Sequence, residues 1–269
     1  MLRNHELDEA GEQGGAALRG SQSVRRALDL LSLLASWDRS GGLSLSAMAD
    51  ESGLTRPTVH RLVAELVNAG YVEQGDDKRY RLGTQSHTVG RAAEHRHGLK
   101  QQTHESVVRI AKLSEDSAFV SVRSGTHSVC LHREEGAWPV RSHVLQAGDR
   151  HPLGIGAAGL ALLAAVPRNV AASLIAANEA EIRRRYPQIT RAYLLDKYDE
   201  TRQNGFALNQ GMVVQDSWGI AVVVPDAMGE PTLSLSIAAV ASRMTPERQP
   251  RLVSILREEA RRINNQIKA

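Results

Sequence analysis

The sequence predicts an α+β protein of two domains: a helical module with a β-hairpin at residues 21–83, a linker helix at 84–98 and an α/β domain at 99–269. Three observations lead there. Apolar residues between 24 and 69 recur at the helical period; two short helical stretches meet at a glycine and are followed by two short strands; and from about residue 99 helical and strand-like segments alternate. A chain of 269 residues with 42% hydrophobic and 23% charged residues can give each unit a core of its own.

Residues 1–20, MLRNHELDEAGEQGGAALRG, are polar, glycine-rich and without period, and are expected to form a disordered tail. Order is expected from Ser23 as a helix cap. Beyond it Val24, Ala27, Leu28, Leu31, Leu34 and Ala35 form one helical stripe, with Leu30 and Leu33 off it and widening the apolar surface toward a core or a second subunit. In GGLSLSAMADESGLTRPTVHRLVAELVNAGYVEQGDDKRYRLG, residues 41–83, a helix from about Ser46 to Ser52 stops at Gly53. A second runs from near Thr55, with Pro57 in its first turn, to Ala69 before Gly70. Two helices joined by a short glycine turn make a helix-turn-helix. YVEQ and KRYRL then read as strands around Gly75-Asp76-Asp77, the hairpin of a winged helix-turn-helix.

Residues 84–98 are weakly apolar and read as the linker helix, with Gly98 as a break. Thereafter QTHESVVRIAKLS is helical, AFVSVRS and SVCLHRE are strands, and AAGLALLAAV is helical. Helical segments follow at 169–178 and 191–204, then strands GIAVVVP and TLSLSIA, and a closing helix from Thr245 to about Lys268.

The net charge of +3 is compatible with nucleic-acid binding but does not locate it, since residues 19–100 carry 12 Lys/Arg against 9 Asp/Glu and residues 101–269 carry 20 against 17. Placement decides. Along residues 55–69 Val59, Leu62, Val63 and Leu66 share one side, and Pro57, Thr58, Arg61 and Glu65 the other. Arg61 can reach guanine O6 and N7 bidentately, and Thr58 offers a hydroxyl and a methyl to base edges. Arg56 in the first turn, with Lys78, Arg79 and Arg81 on the hairpin, can hold phosphates on either side. An i, i+4 surface pair of Arg61 with Glu65 is the bland alternative. A short helix, glycine turn, capped helix and basic hairpin in one module favour double-stranded DNA as partner.

SVRRALDLLSLLA, LSLSAMADESGLTRPTVHRLVAELVNAGYV and RYRLG together resemble the N-terminal winged helix of the IclR family of bacterial transcriptional regulators. Residues 150–164 and 205–238 resemble that family's C-terminal GAF-like α/β effector-binding domain, so the resemblance covers nearly the whole chain. It implies a cytoplasmic DNA-binding homodimer, or a dimer of dimers, that answers to a small metabolite.

Gly154, Gly156 and Gly159 stand as G-x-G-x-x-G, with Glu179 twenty residues on, the spacing of a dinucleotide fingerprint. The context excludes that use. QAGDRHP before Gly154 is polar and proline-broken, the next strong strand lies some sixty residues downstream, and Glu179 follows the helical VAASLIAAN. What remains is a glycine-rich entry to a helix, where the N–H groups of Gly156, Ala157 and Ala158 can receive a carboxylate; the same small residues also suit close helix-to-sheet packing. The resemblance implies the ligand role, and draws Asn209, Gly219 and Ser236 into the same pocket. Ser236 matches the family's serine. Asn209 stands where some glyoxylate- and pyruvate-responsive members carry an acid, Gly219 where they carry cysteine, and Leu160 where lysine is common. A site without those groups suits a larger, partly apolar carboxylate, aromatic ones included.

No nucleophile elbow, H-E-x-x-H or phosphate-binding loop occurs, so neither catalytic residues nor a cofactor is expected; an enzyme that borrows the winged helix for dimerisation is the alternative. His127, His132, His143 and His151 show no metal-ligand spacing and read as scattered polar histidines, with no metal expected. Cys130 is the sole cysteine, reads as a buried strand residue and excludes an internal disulfide. No apolar run reaches the ~18 residues of a bilayer span, and the N-terminus is not signal-like, which places the chain in the cytoplasm with no membrane partner.

Overall fold

The computed structural model describes residues 9–37, 41–139, 145–225 and 231–268, in two compact units, Met1–His97 and Gly98–Ala269. In the first unit α1 (Glu9–Trp37) begins well before Ser23. Residues 9–20 thus continue the helix instead of forming a disordered tail. Glu9, Ala10, Glu12, Gln13, Ala16, Ala17, Leu18 and Arg19 are strong helix formers, and lacking an apolar period removes a packing face without removing that preference.

Helix α2 (Leu45–Ser52) is capped by Ser44, whose side chain accepts from the Ala47 N–H at 3.2 Å, and ends at Gly53 with φ 69°. Helix α3 (Arg56–Asn68) starts after Thr55 with Pro57 in its first turn. Strands β1 (Val72–Gln74) and β2 (Tyr80–Leu82) pair antiparallel, and Leu43 exchanges backbone hydrogen bonds with Tyr80 at 2.8 and 3.0 Å. The core joins Leu30, Leu34, Leu43, Met48, Val59, Leu62, Val63 and Val72. Leu30 is fully buried although it lies off the expected stripe, while Val24 and Leu28 on that stripe are 60% and 56% exposed. A helix carrying this many apolar residues has more than one arc that can face inward, and α2, α3 and the hairpin choose the arc around Leu30 and Leu34. Helix α4 (Thr84–His97) is tied to the start of β1 by the Ser86 hydroxyl donating to the Tyr71 carbonyl.

The second unit opens with α5 (Leu99–Ser114) and strands β3 (Ser117–Ser124), β4 (His127–Glu134) and β5 (Arg150–Pro152). Helices α6 (Gly156–Ala164), α7 (Arg168–Ala177), α8 (Glu179–Arg185) and α9 (Arg191–Asn204) follow, then β6 (Ala207–Gln210), β7 (Ser217–Pro225), β8 (Pro231–Val240) and α10 (Gln249–Lys268). The sheet order is β5-β4-β3-β8-β7-β6, every neighbouring pair antiparallel. Alternation sorts its two faces. Ala118, Val120, Ile220, Val222, Leu235 and Ile237 pack with Val107 and Ile110 of α5 and Leu252, Leu256 and Ile263 of α10. The opposite face presents Phe119, Ser121, Gly219, Ala221 and Ser236 toward α6. A bulge at Leu131 shifts the β3–β4 register between Val120 and Ser121, so Cys130 pairs with Ser121 and His132 with Val120, on opposite faces.

A buried ion pair ties α5 to α10. Glu259 is 2% exposed and accepts from Arg109 Nη2 at 2.9 Å and Nε at 3.1 Å, while Arg262 Nε stands at 3.6 Å. Arg109→Met is expected to lower stability by about 2 kcal/mol in urea melts, because it leaves a buried carboxylate with one distant cation. A loss below ~0.5 kcal/mol would mean that the pair contributes nothing net.

Candidate functional site

On α3, Val59, Leu62 and Val63 are buried, and Arg56, Pro57, His60, Arg61, Ala64, Glu65 and Asn68 are exposed. Arg61 therefore stands on the outer face of the second helix, and among the described residues it makes no ion pair with Glu65. Thr58 is half-buried, its hydroxyl 2.9 Å from that of Thr55. Arg56 donates to the Ser46 hydroxyl and so bridges the first turns of α3 and α2. His60 and Asn68 are also exposed on this helix, although the helical projection singled out only Pro57, Thr58, Arg61 and Glu65.

The hairpin cations differ in their engagements. Lys78 sits exposed at the turn with φ 60°. Arg79 Nη1 donates to the Gly42 carbonyl at 2.9 Å, which fastens the hairpin to the segment before α2. Arg81 pairs with Asp77, and that hydrogen bond holds the Asp77 carboxyl down to about 2. Gly42 has φ 79°, and a Cβ there would lie 2.2 Å from the Tyr80 carbonyl oxygen.

In the second unit a pocket opens between the sheet and the start of α6, with about 620 Å³ of space when its solvent-filled mouth is included. It brings together all six residues singled out from the sequence: Gly156, Ala157, Ala158, Asn209, Gly219 and Ser236. The strand register accounts for this. Phe119, Ser236 and Ala221 lie side by side across β3, β8 and β7, and Ala238, Gly219 and Asn209 form the adjoining row across β8, β7 and β6. Phe119, Ser121, Ser128, Cys130, His151 and Trp218 also line the cavity. The alternation of β3 and β4 was the signal for the first four, since apolar residues facing α5 leave Phe119, Ser121, Ser128 and Cys130 on the other side.

The three glycines divide their work. A Cβ on Gly154 would meet Leu194 at 3.0 Å and one on Gly159 would meet the Ser128 hydroxyl at 3.2 Å, so both serve close packing. Gly156 has φ 70° and open space where its Cβ would stand. Gly219 lets β7 approach α6, as its Cβ would lie 3.1 Å from that of Ala157. Helix α6 has no side-chain cap at Ile155, and no protein acceptor is recorded for the N–H groups of Gly156, Ala157 and Ala158 among the described residues. Leu160 is buried with Ala161, Ala207 and Ala221, outside the pocket wall. Strand β5 precedes this loop although its polar, proline-containing sequence spoke against a strand; the pairing with β4 overrides that local preference. It is an antiparallel edge strand, and Glu179 opens α8, so the βαβ setting of a dinucleotide loop is absent from these residues.

His151 Nδ1 lies 2.6 Å from the Tyr186 hydroxyl. Burial pushes its pKa from 6.5 down to about 4, the Arg185 charge acting in the same direction and Glu181 against it. An unfolded histidine takes up its proton below about 6.5 and the folded one only near 4, so stability is full above pH 6.5 and declines as pH falls toward 4. The loss is at most on the order of 3 kcal/mol. His151→Gln is expected to flatten the decline in urea melts taken between pH 7 and 4.5; an unchanged slope would assign it to other groups.

Family models match residues 23–76 as the IclR helix-turn-helix domain and residues 91–265 as the bacterial transcriptional regulator IclR C-terminal domain. The chain belongs to the IclR family. It is thus a DNA-binding transcriptional regulator and not an enzyme. The HTH-type transcriptional repressor AllR of Klebsiella pneumoniae is 28% identical over 258 residues, 94% of this chain and 93% of the relative. An IclR transcriptional regulator of Silicibacter sp. shares the fold with a TM-score of 0.76 at 23% identity, covering 92% of this chain and 96% of that one. An IclR homologue of Microbacterium hydrocarbonoxydans, solved in complex with 4-hydroxybenzoate, has a TM-score of 0.63 at 21% identity, covering 91% and 98%. No helix among the described residues is long and apolar enough to cross a membrane.

Proposed function

We propose that this IclR-family regulator binds operator DNA through α3 and the hairpin, and that a small, partly apolar carboxylate in the pocket of the second unit modulates that binding. The observation that carries the effector reading is a coincidence of unmet donors. Among the described residues the N–H groups of Gly156, Ala157 and Ala158 and the hydroxyls of Ser121 and Ser236 find no protein hydrogen-bond partner, and they border one cavity walled by Phe119, Ile155 and Trp218. An anion at a helix N-terminus gains from the N–H groups and the helix dipole together, and the aromatic walls suit a ring. The Microbacterium homologue's 4-hydroxybenzoate supports this ligand class.

On the DNA side Arg61 and Thr58 read bases, Arg56 and Lys78 hold phosphates, and Arg79 and Arg81 set the hairpin's position while offering their remaining N–H groups to the backbone. In this reading the winged helix at 21–83 carries the DNA contacts, the linker helix at 84–98 joins it to the effector-binding and oligomerisation domain at 99–269, and residues 1–8 of the expected tail lie outside the described residues. The exposed Val24 and Leu28 suit a homodimer, which could pair further into a dimer of dimers. Calorimetric titration of the full chain with 4-hydroxybenzoate, benzoate and glyoxylate tests the pocket. Saturable binding of the aromatic acids, weakened ~5-fold or more by Ser236→Ala, is expected. Tighter binding of glyoxylate than of either aromatic acid would overturn the ligand class.

A further inference from the structure

On the sheet face opposite the pocket, His104 of α5, His132 and Glu134 converge. The bulge at Leu131 is responsible, because it turns His132 and Glu134 to the side of Val120 and Ala118, which α5 covers. His104 Nδ1 lies 3.0 Å from His132 Nε2, His132 Nε2 lies 2.7 Å from Glu134 Oε1, and His104 Nδ1 lies 3.8 Å from the same oxygen. The His132 side chain is 14% exposed, that of Glu134 32% and that of His104 51%, so the cluster opens to solvent on one side.

We propose that His104, His132 and Glu134 bind a divalent first-row transition ion, zinc(II) in the first instance. Two imidazoles and a carboxylate are a ligand set that zinc takes with water in the fourth position. Donor atoms at zinc's tetrahedral bond lengths stand about 3.3 Å apart, and the three separations here bracket that value. Protons serve the triangle poorly. His132 Nε2 carries either one hydrogen or one lone pair, and it faces both another ring nitrogen and a carboxylate oxygen; a cation at the centre satisfies all three lone pairs. The ion would fasten α5 to β4, and neither the pocket nor the DNA face contributes a ligand to it.

The test titrates zinc chloride into the metal-free full chain against a chromogenic chelator, with cobalt(II) spectra and thermal melts alongside. The wild type is expected to take up one tight equivalent and to melt at a higher temperature with zinc. His132→Ala and His104→Ala each lose that equivalent and the zinc-dependent rise, Glu134→Gln binds roughly tenfold or more weakly, and His87→Ala on α4 behaves as wild type. Cobalt(II) gives a tetrahedral spectrum without a thiolate charge-transfer band, because Cys130 faces the other side of the sheet. Since His104 is half-exposed, its loss leaves the metal-free fold intact and the comparison stands even where His132→Ala is less stable. Absence of a stoichiometric tight equivalent, its survival in both histidine variants, or a thiolate band would overturn the proposal.

Discussion

Gly156→Asp is expected to lower the affinity for 4-hydroxybenzoate by about 100-fold or more while leaving DNA affinity in the absence of effector within ~3-fold of wild type. The Cβ enters open space in the pocket mouth, and Asp tolerates the left-handed backbone at φ 70° better than most residues. Its carboxylate then occupies the helix N-terminus, taking donors worth about 1.5–3 kcal/mol to a charged ligand and repelling the incoming acid by about 1 kcal/mol or more. Ala157, a neighbouring donor, is the poorer place for this change, since its side chain already presses on β7 at Gly219. Calorimetry on the full chain reads the effect. Binding unchanged in Gly156→Asp would mean that the α6 N-terminus does not hold the acid.

Arg61→Ala is expected to weaken the preferred operator by ~10- to 100-fold and to relax the base preference at one position of the site, as loss of a bidentate guanine contact requires. Lys78→Ala should act differently, weakening preferred and scrambled duplexes alike and making the salt dependence shallower. Duplexes selected from a random pool and then titrated at several salt concentrations distinguish the two. Equal losses on preferred and scrambled duplexes for Arg61→Ala would move base recognition elsewhere on the exposed face, with His60 and Asn68 next to be replaced.

The helix-turn-helix was legible because Gly53, Pro57 and Gly70 sit where caps and turns require them, while the Ser44 cap, one residue before α2, was not singled out and the helix start was placed a residue late. Helix α1 was legible as a helix but not in its facing, since its apolar residues do not single out one arc. Strands β5 and β6 are three and four residues long, and β5 is held by pairing rather than by its own composition. Neither has enough length to display an alternating pattern. In the pocket, the helix entry was legible from its glycine spacing, whereas Asn209, Gly219 and Ser236 entered only through the resemblance to the family. Phe119, Ser121 and Cys130 alternate with residues that face α5, a pattern the sequence carries, but that their side of the sheet holds the cavity follows from strand order, which no local pattern announces. The bulge at Leu131 hid the His104, His132 and Glu134 cluster, whose first member lies 28 residues from the second.

In the proposed function a carboxylate in the pocket changes the affinity of the DNA-binding module. Fluorescence anisotropy of a labelled operator duplex, titrated with the full chain with and without saturating 4-hydroxybenzoate or benzoate, measures it directly. The wild type is predicted to change its operator affinity by roughly 5-fold or more with at least one of these acids, and Gly156→Asp to hold the same affinity with and without them. An operator affinity indifferent to both acids in the wild type, or an equal response in Gly156→Asp, would contradict it.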